Sequence, residues 1–361
     1  MKVNFEIDLE IKQRFDAWWK CEKTDRPMMC LIKARKGFDP KSLTDVSRLG
    51  KTAEDRHMSP EFRVACTRND MRRLEFLCEA FPYVDLNLGP GSMAAYLLCE
   101  PVFADDTIWY TKSETPIDEL DIGFEKSTKW WQYHLDRIKR AAQLADGEFP
   151  IAIPDIIENI DIVSAIRGPE QLCFDLIDNP GGIKRLIDVC NRDYMKYYDA
   201  MYDAVKNGAG ESCYASFAIW SRGKAVKVQC DFSCLISTEQ FDEFVLPGLK
   251  RQCAEIPFPL YHLDGPGAIR HVPSIMKIEG LKALQWAAGA GNPDCGSEEW
   301  YPMYDKVFDA GKSLWLHFEG TPESCAERSK KIARRYGNKG LYFFYPRVDD
   351  NGADEILKRF K

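Results

Sequence analysis

The 361-residue chain carries only five histidines, and none of its apolar runs approaches the length of a membrane-spanning helix. Its first twenty residues, MKVNFEIDLEIKQRFDAWWK, are charged throughout and lack the apolar centre of a secretory signal. A cytoplasmic location and no membrane partner are therefore expected. No Lys/Arg cluster with interleaved aromatics occurs, and 49 basic against 56 acidic residues leave a net charge of −7, so nucleic acid is not an expected partner. A small-molecule substrate is. The 13 cysteines are odd in number and form neither a CxxC pair nor a zinc-ribbon spacing, so they read as buried reduced thiols, with Cys230 alone kept apart as a candidate ligand. No GxGxxG follows the first strand-like run, and neither a repeat nor a low-complexity linker divides the chain.

What is present alternates. Strand-like runs fall at residues 84–88, 151–153, 213–219, 226–230, 259–263, 283–286, 314–318 and 341–345, and helical patterns lie between most of them, at 125–145, 182–206, 239–255, 268–278, 298–310 and 323–336. Between residues 213 and 237 the pattern also fits two strands paired as a hairpin. Ser59-Pro60-Glu61 has the N-cap, Pro and early acid of a helix start, and the pattern predicts a helix from there to residue 80. About eight strand–helix units imply a parallel sheet, and a (β/α)8 TIM barrel fits them better than a doubly wound sheet. Residues 1–59 are expected to be an N-terminal helix and extended segment packing on a barrel of residues 60–361, with 33–57 as a charged flap.

A barrel gathers its active site at the C-terminal strand ends. The stretch PLYHLDGPGAIRH places His262 and Asp264 at i and i+2 on one strand face, and SLWLHFEGTPES repeats the layout with His317 and Glu319. Such pairs suit acid/base work or metal ligation, although a rim histidine can equally satisfy a backbone carbonyl. Asp231 completes the expected catalytic set. Asn87, Asp155, Trp220, Gln285, Trp286, Tyr345 and Arg347 also stand at predicted strand exits and are expected to bind substrate; His57, His134 and His271 read as surface or helix residues.

Four stretches carry a resemblance: NLGPGSMAAYLLCEPVFADDTIW (87–109), PDIIENIDIVSAIRGPEQLCFDLIDNPGGIKRLID (154–188), CDFSCLISTEQFDEFVLPGLK (230–250) and YHLDGPGAIRH (261–271). In this order they resemble the superfamily of uroporphyrinogen decarboxylase and the corrinoid-linked methyltransferases, whose members are (β/α)8 barrels. The resemblance implies a methyltransferase acting on a small methyl donor or a corrinoid-bound methyl group, with a corrinoid protein as partner. The alternatives are a metal-free decarboxylase of a tetrapyrrole or other polycarboxylate, with Arg35 holding carboxylates, and a non-catalytic ligand-binding barrel.

The zinc methyltransferases of that superfamily hold their metal with the His and Cys of a His-x-Cys-Gly motif and a late Cys. Here His262 matches, Asp264 stands for the first cysteine, and Tyr345 occupies the last strand's exit. A thiolate-rich zinc site is therefore not expected. His262 and Asp264 are a candidate site for zinc or a harder divalent ion, with His317, Glu319 or Asp231 completing it.

Overall fold

The computed structural model describes residues 5–360, so the outermost ends of the two expected segments lie outside it. The strands are β1 (Met28–Ala34), β2 (Leu74–Cys78), β3 (Pro101–Phe103), β4 (Ile108–Tyr110), β5 (Ser212–Tyr214), β6 (Ile219–Ser221), β7 (Ala225–Gln229), β8 (Phe258–Asp264), β9 (Ala283–Ala287), β10 (Ser313–His317) and β11 (Leu341–Phe344). Seven form one mixed but mainly parallel sheet in the order β2-β1-β11-β10-β9-β8-β7, with β2 antiparallel to β1. From β7 to β11 the chain order and the sheet order agree. Helices connect these strands, so the architecture is α/β.

The eight-stranded closed barrel is not what the ladders show: among the described residues no ladder closes the sheet from β7 back to β2. Two of the expected strands persist only as single parallel bridges, Val84 with Ile151 and Ile153 with Tyr214. Proline explains their shortness, because Pro150 and Pro154 leave three residues between them and each removes a ladder donor. The expected strand 213–219 is instead the antiparallel hairpin β5–β6. Its tip packs against one face of the sheet, where Tyr83 Oη, Trp315 Nε1 and Tyr342 Oη donate to the carbonyls of Ala215, Phe217 and Ala218 at 2.9, 3.1 and 3.1 Å.

Other expectations need correction. The helix starting at Pro60 stops at Arg73, and the chain leaves it as β2. β1 lies between β2 and β11, so the N-terminal segment contributes a strand to the sheet instead of only packing on it. The helix expected at 239–255 is two helices, Thr238–Phe244 and Leu246–Glu255, broken where Pro247 begins the second. Helix Leu9–Trp19 covers the edge where the parallel strands begin: Trp18 Nε1 donates to Leu314 O at 3.5 Å, and Ser313 Oγ donates to Trp18 O. β7 to β11 end at the opposite edge.

Candidate active site at the strand ends

Parallel register decides which side chains meet. Gln229, His262, Gln285, Trp315 and Tyr342 are successive partners across β7 to β11 and form one row on the face that carries the hairpin tip. Two residues further along β8 is Asp264, and two beyond Gln229 is Asp231, the first residue of the short turn Asp231–Leu235. Asp231, His262 and Asp264 each offer a ligand atom within 4.8 Å of the others. His317 and Glu319 are outside this cluster and exposed to solvent.

Buried partners hold the cluster in place. His262 Nδ1 is hydrogen-bonded to Gln285 Oε1, which leaves Nε2 as the free ring nitrogen. Burial, aided by the charge of Lys227, holds this imidazole below its ordinary pKa, so it is neutral at pH 7; burial pushes the Asp264 carboxyl the other way. Gln229 Nε2 donates to Asp231 Oδ2 at 2.8 Å and to Asp161 Oδ2 at 3.1 Å. Asp161 also accepts the backbone N–H groups of Asp231 and Phe232 at 2.8 and 2.9 Å, and burial followed by the charge of Asp231 raises its pKa to about 6. The short helix Asn159–Arg167 delivers Asp161. Asn159 starts that helix in the left-handed region, at φ +49°, and its amide donates to Gln229 O at 3.1 Å.

Beneath Gln229 lies Lys227, only 4% exposed, whose Nζ bonds both Gln229 Oε1 and Asp155 Oδ2. Tyr214 Oη donates to the other Asp155 oxygen at 2.9 Å. Asp155 is thus half of a sealed ion pair below the cluster. Its expected contact with substrate is not what the structure shows.

Beside Asp231 and Asp161 opens a groove of about 690 Å³ walled by Ile108, Trp109, Tyr110, Ile157, Pro169 and Phe232, with Lys112 on its lining. Trp109 is 67% exposed, an aromatic face left open to a ligand. Gly89 allows Tyr110 to close the inner end: a Cβ there would meet Tyr110 Oη at 2.5 Å, and the glycine's φ is +90°.

The other expected substrate residues are elsewhere. Trp220 sits on β6 at the far edge, buried against Phe15 at 6.2 Å, with its carbonyl taken by Trp19 Nε1 at 3.0 Å. Trp286 alternates with Gln285 and points to the opposite face of the sheet, against Trp300 at 5.0 Å. Asn87 closes a local turn by accepting Gly89 N–H at 2.7 Å. Tyr345, stacked on Phe318, and Arg347 line a separate cavity of about 370 Å³ with Arg63, Asp85 and Tyr83. Cys230 is buried and its thiol pushed well up by burial. His57 and His134 lie in the helices Ala53–Met58 and Lys129–Ala145, and His271 ends the 3-10 helix Pro266–His271, as the helix expectation had it; His134 and His271 are fully buried there, His134 bonding Tyr96 Oη at 2.6 Å and His271 stacking on Phe241.

Sequence reasoning missed Asp161, Gln229 and Lys227. A lysine between two valines in the run AVKVQ was the available signal, since a charge inside a buried strand must have a partner.

No family model matches the sequence, and no curated protein does. A structural likeness does exist. The chain is similar to a methyltransferase from Methanosarcina mazei, with a TM-score of 0.64 and 12% identity over 98% of each chain. At that identity the likeness shows a shared fold.

Proposed function

We propose that this protein is a methyltransferase of the uroporphyrinogen decarboxylase-like kind, taking a methyl group from a small donor, or from a corrinoid on a partner protein, in the groove beside Asp231. The observation that carries the reading is the Asp231–His262–Asp264 cluster standing next to an apolar groove at the strand ends. The methyltransferase fold of the Methanosarcina mazei protein supports it. The sheet is taken here as part of a barrel wall, supported by the two parallel bridges Val84–Ile151 and Ile153–Tyr214. The corrinoid partner rests on the sequence resemblance alone.

The donor set fits a divalent ion. Two carboxylates and a neutral imidazole with Nε2 free are hard or borderline ligands, suited to zinc, manganese or iron with little discrimination. Such an ion supplies Lewis acidity where the methyl group is transferred. Asp161, its pKa raised to about 6, accepts three protein donors, the backbone N–H groups of Asp231 and Phe232 and the amide of Gln229, and so holds the turn that carries Asp231 in place. Trp109, Tyr110 and Phe232 supply ring faces beside two acids, which favours a methylated ammonium donor by cation–π attraction. The decarboxylase reading loses its main cation, because Arg35 donates to the carbonyls of Arg72 and Leu74 at 3.0 Å each.

Thermal-shift titration with methylated amines, aromatic methyl ethers and polycarboxylates tests the proposal. Stabilisation by a methylated amine or ether is expected, and stabilisation by polycarboxylates alone overturns it. His262→Ala should abolish methyl transfer while leaving donor binding intact. Transfer that survives this change sinks the catalytic role of His262.

A further inference from the structure

We propose that Lys227 is a positioning residue that sets the geometry of the Asp231–His262–Asp264 cluster without touching substrate. The inference rests on reading that cluster as the functional centre. Lys227 is a charged residue in the middle of a strand whose five members are all buried, and the row Lys227, Gln229, Asp231 rises along one face toward the cluster. An ammonium group only donates hydrogen bonds. Its bond to Gln229 therefore commits the amide oxygen downward, and the amide nitrogen has to face upward, where it donates to both Asp231 and Asp161. A glutamine without that anchor could turn its oxygen toward two carboxylates, and Asp231 would lose its orienting donor.

Asp155 and Tyr214 complete the device. Lys227 would be costly to enclose alone, and Asp155 Oδ2 neutralises it while Tyr214 holds the other carboxylate oxygen at 2.9 Å. The ion pair is thus a fixed foundation: Asp155 holds Lys227, Lys227 orients Gln229, and Gln229 orients Asp231. Of these four residues only the last reaches solvent, since Lys227, Asp155 and Gln229 are all buried while Asp231 is exposed.

The test compares the full-length protein with Lys227→Met and with the double change Lys227→Met/Asp155→Asn, which removes both buried charges together. Mn²⁺ binding is followed by electron paramagnetic resonance, and crystal structures of the variants give the positions of Gln229 and Asp231. Loss of an orienting partner of a metal ligand weakens binding by about 10–100-fold. The expected result is that loss in both variants, with the double variant regaining the thermal stability that the single one loses, and with the Asp231 carboxylate displaced. Unchanged Mn²⁺ affinity in a folded variant, or an Asp231 carboxylate that stays in place, overturns the inference. If the parent protein binds no Mn²⁺, the metal reading falls, and the variant structures decide the positioning role by themselves: displacement of Asp231 upholds it, and no displacement overturns it.

Discussion

Gln285 on β9 accepts from Nδ1 of His262 on the neighbouring strand β8, and the two are direct register partners. One hydrogen bond between adjacent parallel strands thereby fixes which ring nitrogen is free. Replacing Gln285 with Leu removes the acceptor, lets the ring turn and exchange tautomers, and should weaken divalent-ion binding by about 10–100-fold. Gln285→Glu keeps an acceptor there and should retain binding. Titration of each variant with Mn²⁺ or Zn²⁺ by calorimetry checks both, and equal affinities for parent and Gln285→Leu would show that the bond has no orienting role.

In the sequence resemblance, Asp264 aligns with the cysteine of the zinc methyltransferases' His-x-Cys-Gly motif. Asp264→Cys should therefore shift selectivity toward zinc, because a soft thiolate discriminates where a carboxylate does not. Mass spectrometry of protein expressed with supplemented metals should find mixed or weakly held ions in the parent, firmly held zinc in Asp264→Cys, and little metal in His262→Ala. Stoichiometric zinc in the parent that survives a chelator would contradict the weak, hard-ligand site.

Much of this arrangement was legible in sequence. Strands β7 to β11 follow from apolar runs set between helical patterns, and His262 with Asp264 follows from the period of two. Pleating also shows where the reading failed: Gln285 and Trp286 were both assigned to the site, yet consecutive residues on a strand face opposite ways, and only Gln285 meets His262. Trp220 failed for a different reason, since a hairpin returned the chain to the far edge before that residue was reached. β1 and β2 are hidden because β1 ends in Lys33 and runs straight into the charged stretch that follows, and LEFLC continues an apolar pattern that a helix could share. Asp161 lies 70 residues from Asp231, and no local pattern announces that helix Asn159–Arg167 brings it under the Asp231 backbone.

Trp109 is expected to bind the donor through its exposed face, and its contribution should be modest. A cation over a solvent-facing ring gains on the order of 1 kcal/mol, or about fivefold in affinity. Trp109→Ala should therefore raise KM for a methylated ammonium donor by about that factor with little change in kcat, and leave metal binding as it was. Trp109→Phe should recover part of the loss. An unchanged KM in Trp109→Ala would place the donor outside this groove.

Asp85 provides a pH test away from the Asp231–His262–Asp264 cluster. Its carboxyl is pushed up to about 6, chiefly by burial, with Arg63 opposing and Asp155 adding to the rise, and its Oδ1 has no hydrogen-bond partner. The folded state thus holds this proton more tightly than the unfolded chain, in which the group titrates near about 3.9. The linked stability is fully present below about pH 4 and is lost as pH rises through 6. Asp85→Asn removes the charge that has to be buried at neutral pH. The variant should match the parent at pH 4 and exceed it at pH 8 by up to roughly 3 kcal/mol, the upper bound for a carboxyl that titrates near 4 when unfolded and near 6 when folded. Urea unfolding of both proteins between pH 4 and 8 gives the difference directly. A difference that does not grow with pH would mean that Arg63 or solvent already compensates the Asp85 charge in the folded protein.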